Sequence, residues 1–300
     1  MNETEWRAFY GVNGSDKLPL VSILVINWNY ATYLTHALES AAAQDYPALE
    51  ILILDNGSDD GSVERIRAFV ERHPNVRFIE LSENLGQLGA AHHIFTEHEV
   101  AGQFVNFLDT DDLLLPHFIS HHVRAHLLVN NGAAISTSDA LQLDQNGIIL
   151  AGSLPDWWKL PSEDRADFED RSIQTHGDPP QQIELSLISR RLERWCFYPG
   201  TSNVFSRRKL AELFSAIHPP IDRRFALDAT AAPFCHAEAG TIMLNEPLSG
   251  YRVHGRNASL VAPPLQHFVP GRISYGDMGK QQRAWHHEIL EGARKEKRSG

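Results

Sequence analysis

Between residues 20 and 130 the chain alternates short apolar runs with amphipathic stretches, and most of those runs end in a polar cluster. Val21-Ser-Ile-Leu-Val-Ile26 and Leu49-Glu-Ile-Leu-Ile-Leu54 are dense in β-branched and large aliphatic residues, the composition of strands buried on both faces. Val76–Leu81 and Gln103–Leu108 read as two more strands. The spacing predicts helices between them. One covers residues 31–43, with Leu34, Ala37, Leu38 and Ala41 on one face, and others cover roughly 62–72 and 86–98. A fourth is opened by Pro116 in its first turn and runs to about Val129. Strand and helix in alternation specify an α/β fold: a mostly parallel, Rossmann-like central sheet flanked by helices. Ligands of such sheets bind beyond the carboxyl ends of the strands. The loops Asn27–Tyr30, Asp55–Asp59 and Asp109–Asp112 all begin there, so the polar groups gather at one edge.

The later chain is less regular. Residues 133–150 are expected to supply one or two strands, and 152–181 an irregular excursion with four prolines, the pair Trp157-Trp158 and an acidic cluster. Gln182–Trp195 reads as a helix, Pro199–Phe205 as a turn and a strand. Arg207–Ile217 and Leu227–Ala237 read as helices, Gly250–His254 as the end of a strand or loop, and the tail from Gln281 as a polar, basic helix or a frayed end.

Composition narrows the classes of function. The 300 residues are 42% hydrophobic and 22% charged, an ordinary globular mix with material for a real core. The formal charge of −11 disfavours a general nucleic-acid binder, because neutralising phosphates needs a basic surface. Cys196 and Cys235 have neither metal-ligand nor disulfide-framework spacing, so two reduced thiols are expected. No apolar leader and no run of about 20 apolar residues is present. That predicts a cytoplasmic chain without a transmembrane segment, with peripheral membrane attachment left open.

The sharpest chemical signal is Asp109-Thr110-Asp111-Asp112, directly after a predicted strand. Three carboxylates in four residues repel one another unless a cation offsets them. A hard divalent ion, Mn²⁺ or Mg²⁺, with oxygen ligands does so and also binds substrate phosphates. The bland alternative is a solvated turn with helix-capping aspartates. Asp55-Asn56-Gly57-Ser58-Asp59 offers groups for a base edge or ribose, or else an Asx turn capping the next helix.

Taken together, these segments resemble the family 2 glycosyltransferases of the GT-A fold. The resemblance runs through Val21–Asn29, Ala37–Tyr46, Glu50–Ser62, Asn84–His93, Phe107–Asp112 with Pro116, Pro199-Gly-Thr-Ser202 and Tyr251–Ser259, or roughly residues 20–260. It implies one transferase domain, with a nucleotide-binding half (20–130) and an acceptor-binding half (131–260) whose variable excursion is 152–198. Residues 1–19 and 261–300 are then extensions. It implies a nucleoside diphosphate sugar as donor, held by Asn27, Asn29, Asp55, Asn56, Gln87 and Asp109. It implies a metal at Asp111, Asp109 and Asp112 with His254, and Arg252 on the phosphates. Transfer to a hydroxyl of a glycan, lipid-linked or small-molecule acceptor would invert the anomeric centre, with Asp228 as base. Asn56 stands where many members carry Asp, which leaves the base preference open. His92-His93 replaces the family's Arg-Asn, and Phe225-Ala-Leu-Asp228 lacks the Glu that often precedes the catalytic Asp. Trp157, Trp158 and Trp195 are candidate acceptor contacts, because aromatic faces suit sugars; packing is their other reading.

Other classes fit less well. No GxGxxG opens the first helix and no GxxxxGK[ST] occurs, against dinucleotide and P-loop enzymes. Leu113 stands where an aspartyl-nucleophile phosphatase would carry a small or hydroxyl residue. The alternative from a different class is a non-catalytic nucleotide- or carbohydrate-binding relic of the same fold.

Overall fold

The computed structural model describes residues 3–12, 16–129, 131–152, 168–176, 181–192, 199–254 and 257, and at the C-terminus 281, 282, 284–289 and 291. Trp157, Trp158, Trp195, Cys196 and most of both the acidic cluster and the C-terminal extension lie outside them.

The first strands form as expected. β1 (Val21–Asn27), β2 (Leu49–Asn56), β3 (Val76–Leu81) and β4 (Phe104–Asp109) are parallel, in the spatial order β3-β2-β1-β4. Alternation along β1 and β2 builds two cores. Val21, Ile23, Val25, Ile51 and Ile53 point to one face, among Leu34, Leu38 and Ile66. Leu24, Leu52 and Leu54 point to the other, among Leu88, Ala90 and Ile94. Burying each large aliphatic contributes about 1.5–3 kcal/mol, so helices are held to both faces. These are α2 (Ala31–Ala42) and α3 (Ser62–Arg72) on the first side and α4 (Gly86–Glu97) on the second. All four residues expected on the buried face of α2 are buried. α1 (Glu3–Phe9) precedes β1, and Trp6, in what reads as a polar extension, is 1% exposed.

Beyond β4 the sheet turns mixed. After β5 (Leu113–Leu114) and α5 (Phe118–Val129) come β6 (Ile135–Leu143) and β7 (Ile149–Ala151). β8 (Phe168–Gln174), β9 (Gln182–Ile188), β10 (Asn203–Ser206), α6 (Arg207–Ala216), α7 (Asp228–Ala239) and β11 (Thr241–Arg252) follow. The order continues β4-β10-β6-β11-β9-β8; β10 is antiparallel to both its neighbours, and β11 is parallel to β6.

Two expectations are corrected here. Gln182–Ile188 is a strand and no helix, because it is hydrogen-bonded between β8 and β11; its burial alternates only over the first residues, and Leu185–Ile188 are all buried. The expected irregular excursion contains β8, a sheet-edge strand whose pattern is mostly exposed and so carries little apolar signal.

β1 is followed by a chain that returns to pair on its other side through β4. This is a topological switch point, where the loops leaving β1 and β4 part and open a crevice. Asn27 pairs in register with Asp55, and Ile26 with Asp109, so both acidic loops leave the sheet at one level.

Candidate active site

The floor of the crevice is built by side chains bonding neighbouring loops. The Asn27 amide donates to Asp55 Oδ2 at 2.8 Å and to Ser58 Oγ at 3.1 Å. Asp55 Oδ1 accepts the Ser58 N–H at 2.8 Å. Asn29 has φ 57°, a left-handed conformation that Asn tolerates better than most residues. There its Oδ1 accepts the Asp59 N–H at 2.8 Å. Asn56, 2% exposed, accepts the Leu85 N–H at 2.9 Å and donates to Asn84 Oδ1 at 3.0 Å. The predicted donor-binding residues of the first two loops are therefore brought together. Asn27, Asp55 and Asn56 are buried and engaged with the protein itself. Asp60, which sequence reasoning passed over, caps α2 through the Ala31 N–H at 2.9 Å. Burial works to raise its pKa, yet hydrogen bonds from Ser62 and Ala31 hold it below the ordinary carboxylate value.

The Asp109–Asp112 loop meets three later segments. Asp109 Oδ1 accepts from Gln87 Nε2 at 2.7 Å, and Gln87 Oε1 accepts the Leu227 N–H at 3.2 Å. Gln87 thus links β4 to the start of α7, one residue before Asp228. The turn Gly200–Ser202 closes the other side. A Cβ on Gly200 would lie 3.4 Å from Asp109 Oδ2, 3.4 Å from Asp228 Oδ2 and 3.2 Å from Asp228 Cβ, so both carboxylates flank this glycine. Burial, then the charges of Asp111 and Asp228, push the Asp109 carboxyl up to about 8. Burial also raises Asp228. Asp111 faces His254, with Oδ2 3.0 Å from Nε2. The His254 ring stacks on Tyr33, centroids 4.9 Å apart.

Two of the predicted residues sit differently from the other members of the cluster. Asp112 is 1% exposed; Oδ1 accepts the Arg252 N–H at 2.9 Å and Oδ2 the Thr201 hydroxyl at 2.8 Å. Burial, with Asp111 and Asp109 nearby, raises it well above the ordinary value. Arg252 is also 1% exposed. Its guanidinium donates to the carbonyls of Asp111 at 2.8 Å, Gln145 at 3.3 Å and Asp144 at 3.4 Å, and its Cζ lies 5.0 Å from the Tyr33 ring centroid. Both residues brace the acidic loop against β11. Thr201 and Tyr33, which complete this frame, carry no spacing signal that links them to residue 109 or 254.

A sheet that switches direction beside a carboxylate-rich loop, closed by a mixed half, is the GT-A architecture of glycosyltransferases. Solved structures agree. The structure of S. aureus TarS 1-349 in complex with UDP-GlcNAc superposes with a TM-score of 0.54 at 14% identity, covering 90% of this chain and 66% of that one. The mannosyltransferase PcManGT from Pyrobaculum calidifontis, in complex with GDP-Man and Mn²⁺, gives 0.52 at 17%, covering 97% and 80%. The family model for glycosyl transferase family 2 matches residues 22–180. An uncharacterized glycosyltransferase of Nostoc sp. is 30% identical over 246 residues, 81% of this chain and 67% of that protein. The chain belongs to glycosyl transferase family 2. It spans a much smaller share of other curated relatives, as with 14% of the Escherichia coli chondroitin synthase, which is 35% identical over 100 residues. Among the described residues no helix is long and apolar enough to cross a membrane.

Proposed function

We propose that the chain transfers a sugar from a nucleoside diphosphate sugar to an acceptor hydroxyl, with inversion at the anomeric carbon. The observation that carries this reading is the convergence of Asp109, Asp111, Asp228 and His254 on one crevice from three separate stretches of chain. The donor class is supported by the ligands of the two superposed structures, UDP-GlcNAc and GDP-Man.

The donor set fits a divalent ion. Asp109, Asp111 and His254 offer oxygen and imidazole ligands, and burial, then the neighbouring charges of Asp111 and Asp228, disfavours the Asp109 carboxylate, which a bound cation would offset. These three residues would hold Mn²⁺ or Mg²⁺; Asp112, with both oxygens engaged, would support them from behind. When bound, such an ion supplies Lewis-acid stabilisation of the charge that grows on a departing diphosphate. The protein's own groups do the rest. The buried network of Asn27, Asp55 and Asn56 fixes the loops that receive the nucleoside. Trp28, 49% exposed at the end of β1, presents an aromatic face for the base. Asp228 takes the acceptor hydroxyl's proton as the oxygen attacks, and its raised pKa brings it nearer the operating pH, as suits a general base. Attack opposite the leaving diphosphate gives inversion.

The test is hydrolysis and transfer from a panel of UDP-, GDP- and dTDP-sugars with and without Mn²⁺. Metal-dependent turnover of a donor is expected. Neither turnover nor metal-dependent nucleotide binding would favour a binding relic of the fold.

A further inference from the structure

Away from the crevice, three side chains from distant parts of the chain converge on one point. Asp45 lies in the turn between α2 and β2, His117 just before α5, and His176 two residues after β8. Asp45 Oδ2 is 2.6 Å from His117 Nδ1 and 2.6 Å from His176 Nε2. The three ligand atoms all lie within 4.8 Å of one another. One turn along α5, His121 stacks on His117 with centroids 5.4 Å apart, and its ring lies 5.7 Å from that of His176.

The surroundings hold these groups in place. The Asp45 N–H donates to the Pro116 carbonyl at 3.1 Å, so Asp45 and His117 are tied through the backbone. Gln44 donates to the Leu115 carbonyl at 2.9 Å and accepts the Ile119 N–H at 3.0 Å. The His176 ring packs on Trp6, centroids 4.3 Å apart, and Trp6 also stacks on Tyr10. An apolar wall thus backs the cluster, while His117, 56% exposed in its side chain, opens it to solvent. Burial would raise the Asp45 carboxyl, yet hydrogen bonds from His176 and His117 hold it below its ordinary value, so it is a carboxylate at neutral pH.

We propose that Asp45, His117 and His176 form a second divalent-metal site, separate from the donor crevice, that takes Zn²⁺ or a similar imidazole-preferring ion. Two imidazoles and a carboxylate, with one position left to water, are a known ligand set for this ion. A tetrahedral shell with bonds of about 2.0–2.1 Å sets ligand atoms about 3.3 Å apart, so the 2.6 Å contacts need open by only some tenths of an ångström. His121, with Glu246 Oε2 at 3.1 Å from its Nδ1, packs beside the site as an orienting neighbour. An ion there would join the α2–β2 turn, the end of β8 and the start of α5. His117 is also five residues after Asp112, so the ion would anchor the far end of the acidic loop's exit strand β5.

The test uses the full chain without an affinity tag, stripped with a chelator and titrated with Co²⁺ as a spectroscopic stand-in for Zn²⁺. One equivalent of Co²⁺ should give visible bands of four- or five-coordinate type and be displaced by Zn²⁺, and Zn²⁺ should raise the melting temperature. His117→Ala and His176→Ala should lose the bands and the shift, whereas Asp111→Asn, which alters only the crevice, should keep both. His117 is the more exposed of the two, so its variant tests the site even if His176→Ala does not fold. Absence of saturable Co²⁺ binding, or equal binding by His117→Ala, would overturn the site and leave a hydrogen-bonded His–Asp–His staple.

Discussion

His254 Nε2 lies 3.0 Å from Asp111 Oδ2, and the two residues are 143 positions apart. β11 carries His254 just past its end, and Tyr33 beneath the ring fixes its direction. The pair is therefore set by the sheet before any ligand arrives. His254→Ala and Asp111→Asn should each lower Mn²⁺-dependent nucleotide diphosphate affinity, by about 10–100-fold if the loss resembles that of other ligand-sphere changes. Calorimetry with and without Mn²⁺ measures this; equal affinities in both conditions for the wild type would remove the metal assignment.

Asp228→Asn should keep donor-nucleotide affinity and cut transfer by about 10²–10⁴-fold, the usual loss for a general base. The two other acidic residues near this segment are occupied. Asp222 pairs with Arg224 at 2.5 Å, which holds its carboxyl down to about 2, and Glu238 pairs with Lys209 at 2.8 Å. Transfer that survives Asp228→Asn in a steady-state assay would nonetheless move the role to one of them.

Metal-free protein should lose stability as pH rises. The Asp109 pKa is raised in the folded state to about 8, so between the ordinary Asp value and about 8 the folded chain binds more protons than the unfolded one. Stability is then highest in the acid part of that window and falls toward pH 8; Asp112 and Asp228, also raised, act in the same direction. Melting curves in chelator from pH 5 to 8 should show a steeper decline for wild type than for Asp109→Asn. Parallel declines would contradict a raised Asp109 pKa in the folded chain.

Gly86 has φ 74°, and a Cβ there would lie 2.5 Å from the Arg223 carbonyl oxygen. Gly86→Ala should destabilise by about 1–3 kcal/mol through the strained conformation alone. It should also displace the 222–224 segment that leads into Asp228, lowering turnover more than nucleotide affinity. Urea unfolding and a kcat against KM comparison distinguish this from a neutral surface change.

Much of the fold is legible in the sequence because its signals are local. Val76–Leu81 and Ser62–Arg72 end where their apolar periods end. β9 shows where a local reading fails. Gln182–Ile188 carries four large aliphatics and a serine, which suit either state, and only pairing with β8 and β11 makes it a strand. Trp6 is similar: with Phe9 and Tyr10 it makes a short aromatic cluster in an acidic segment, but its burial also depends on Tyr46 and His176, far along the chain.

The sequence by itself determined the doubly covered sheet, the edge where polar loops collect and the acidic stretch 109–112, since each follows from residue periodicity or from adjacent charges. Only the tertiary structure decided how those charges are used. Asp112 and Arg252 are drawn into the frame because β11 brings a backbone N–H and Thr201 a hydroxyl to one buried carboxylate. Asp109, Asp111 and Asp228 face the crevice where the loops of β4 and α7 meet, and among the described residues the carboxylates of Asp109 and Asp111 there meet Gln87 and His254 and no guanidinium. Adjacency along the chain sets which groups are near one another; only the packing of distant strands sets which partner each of them meets.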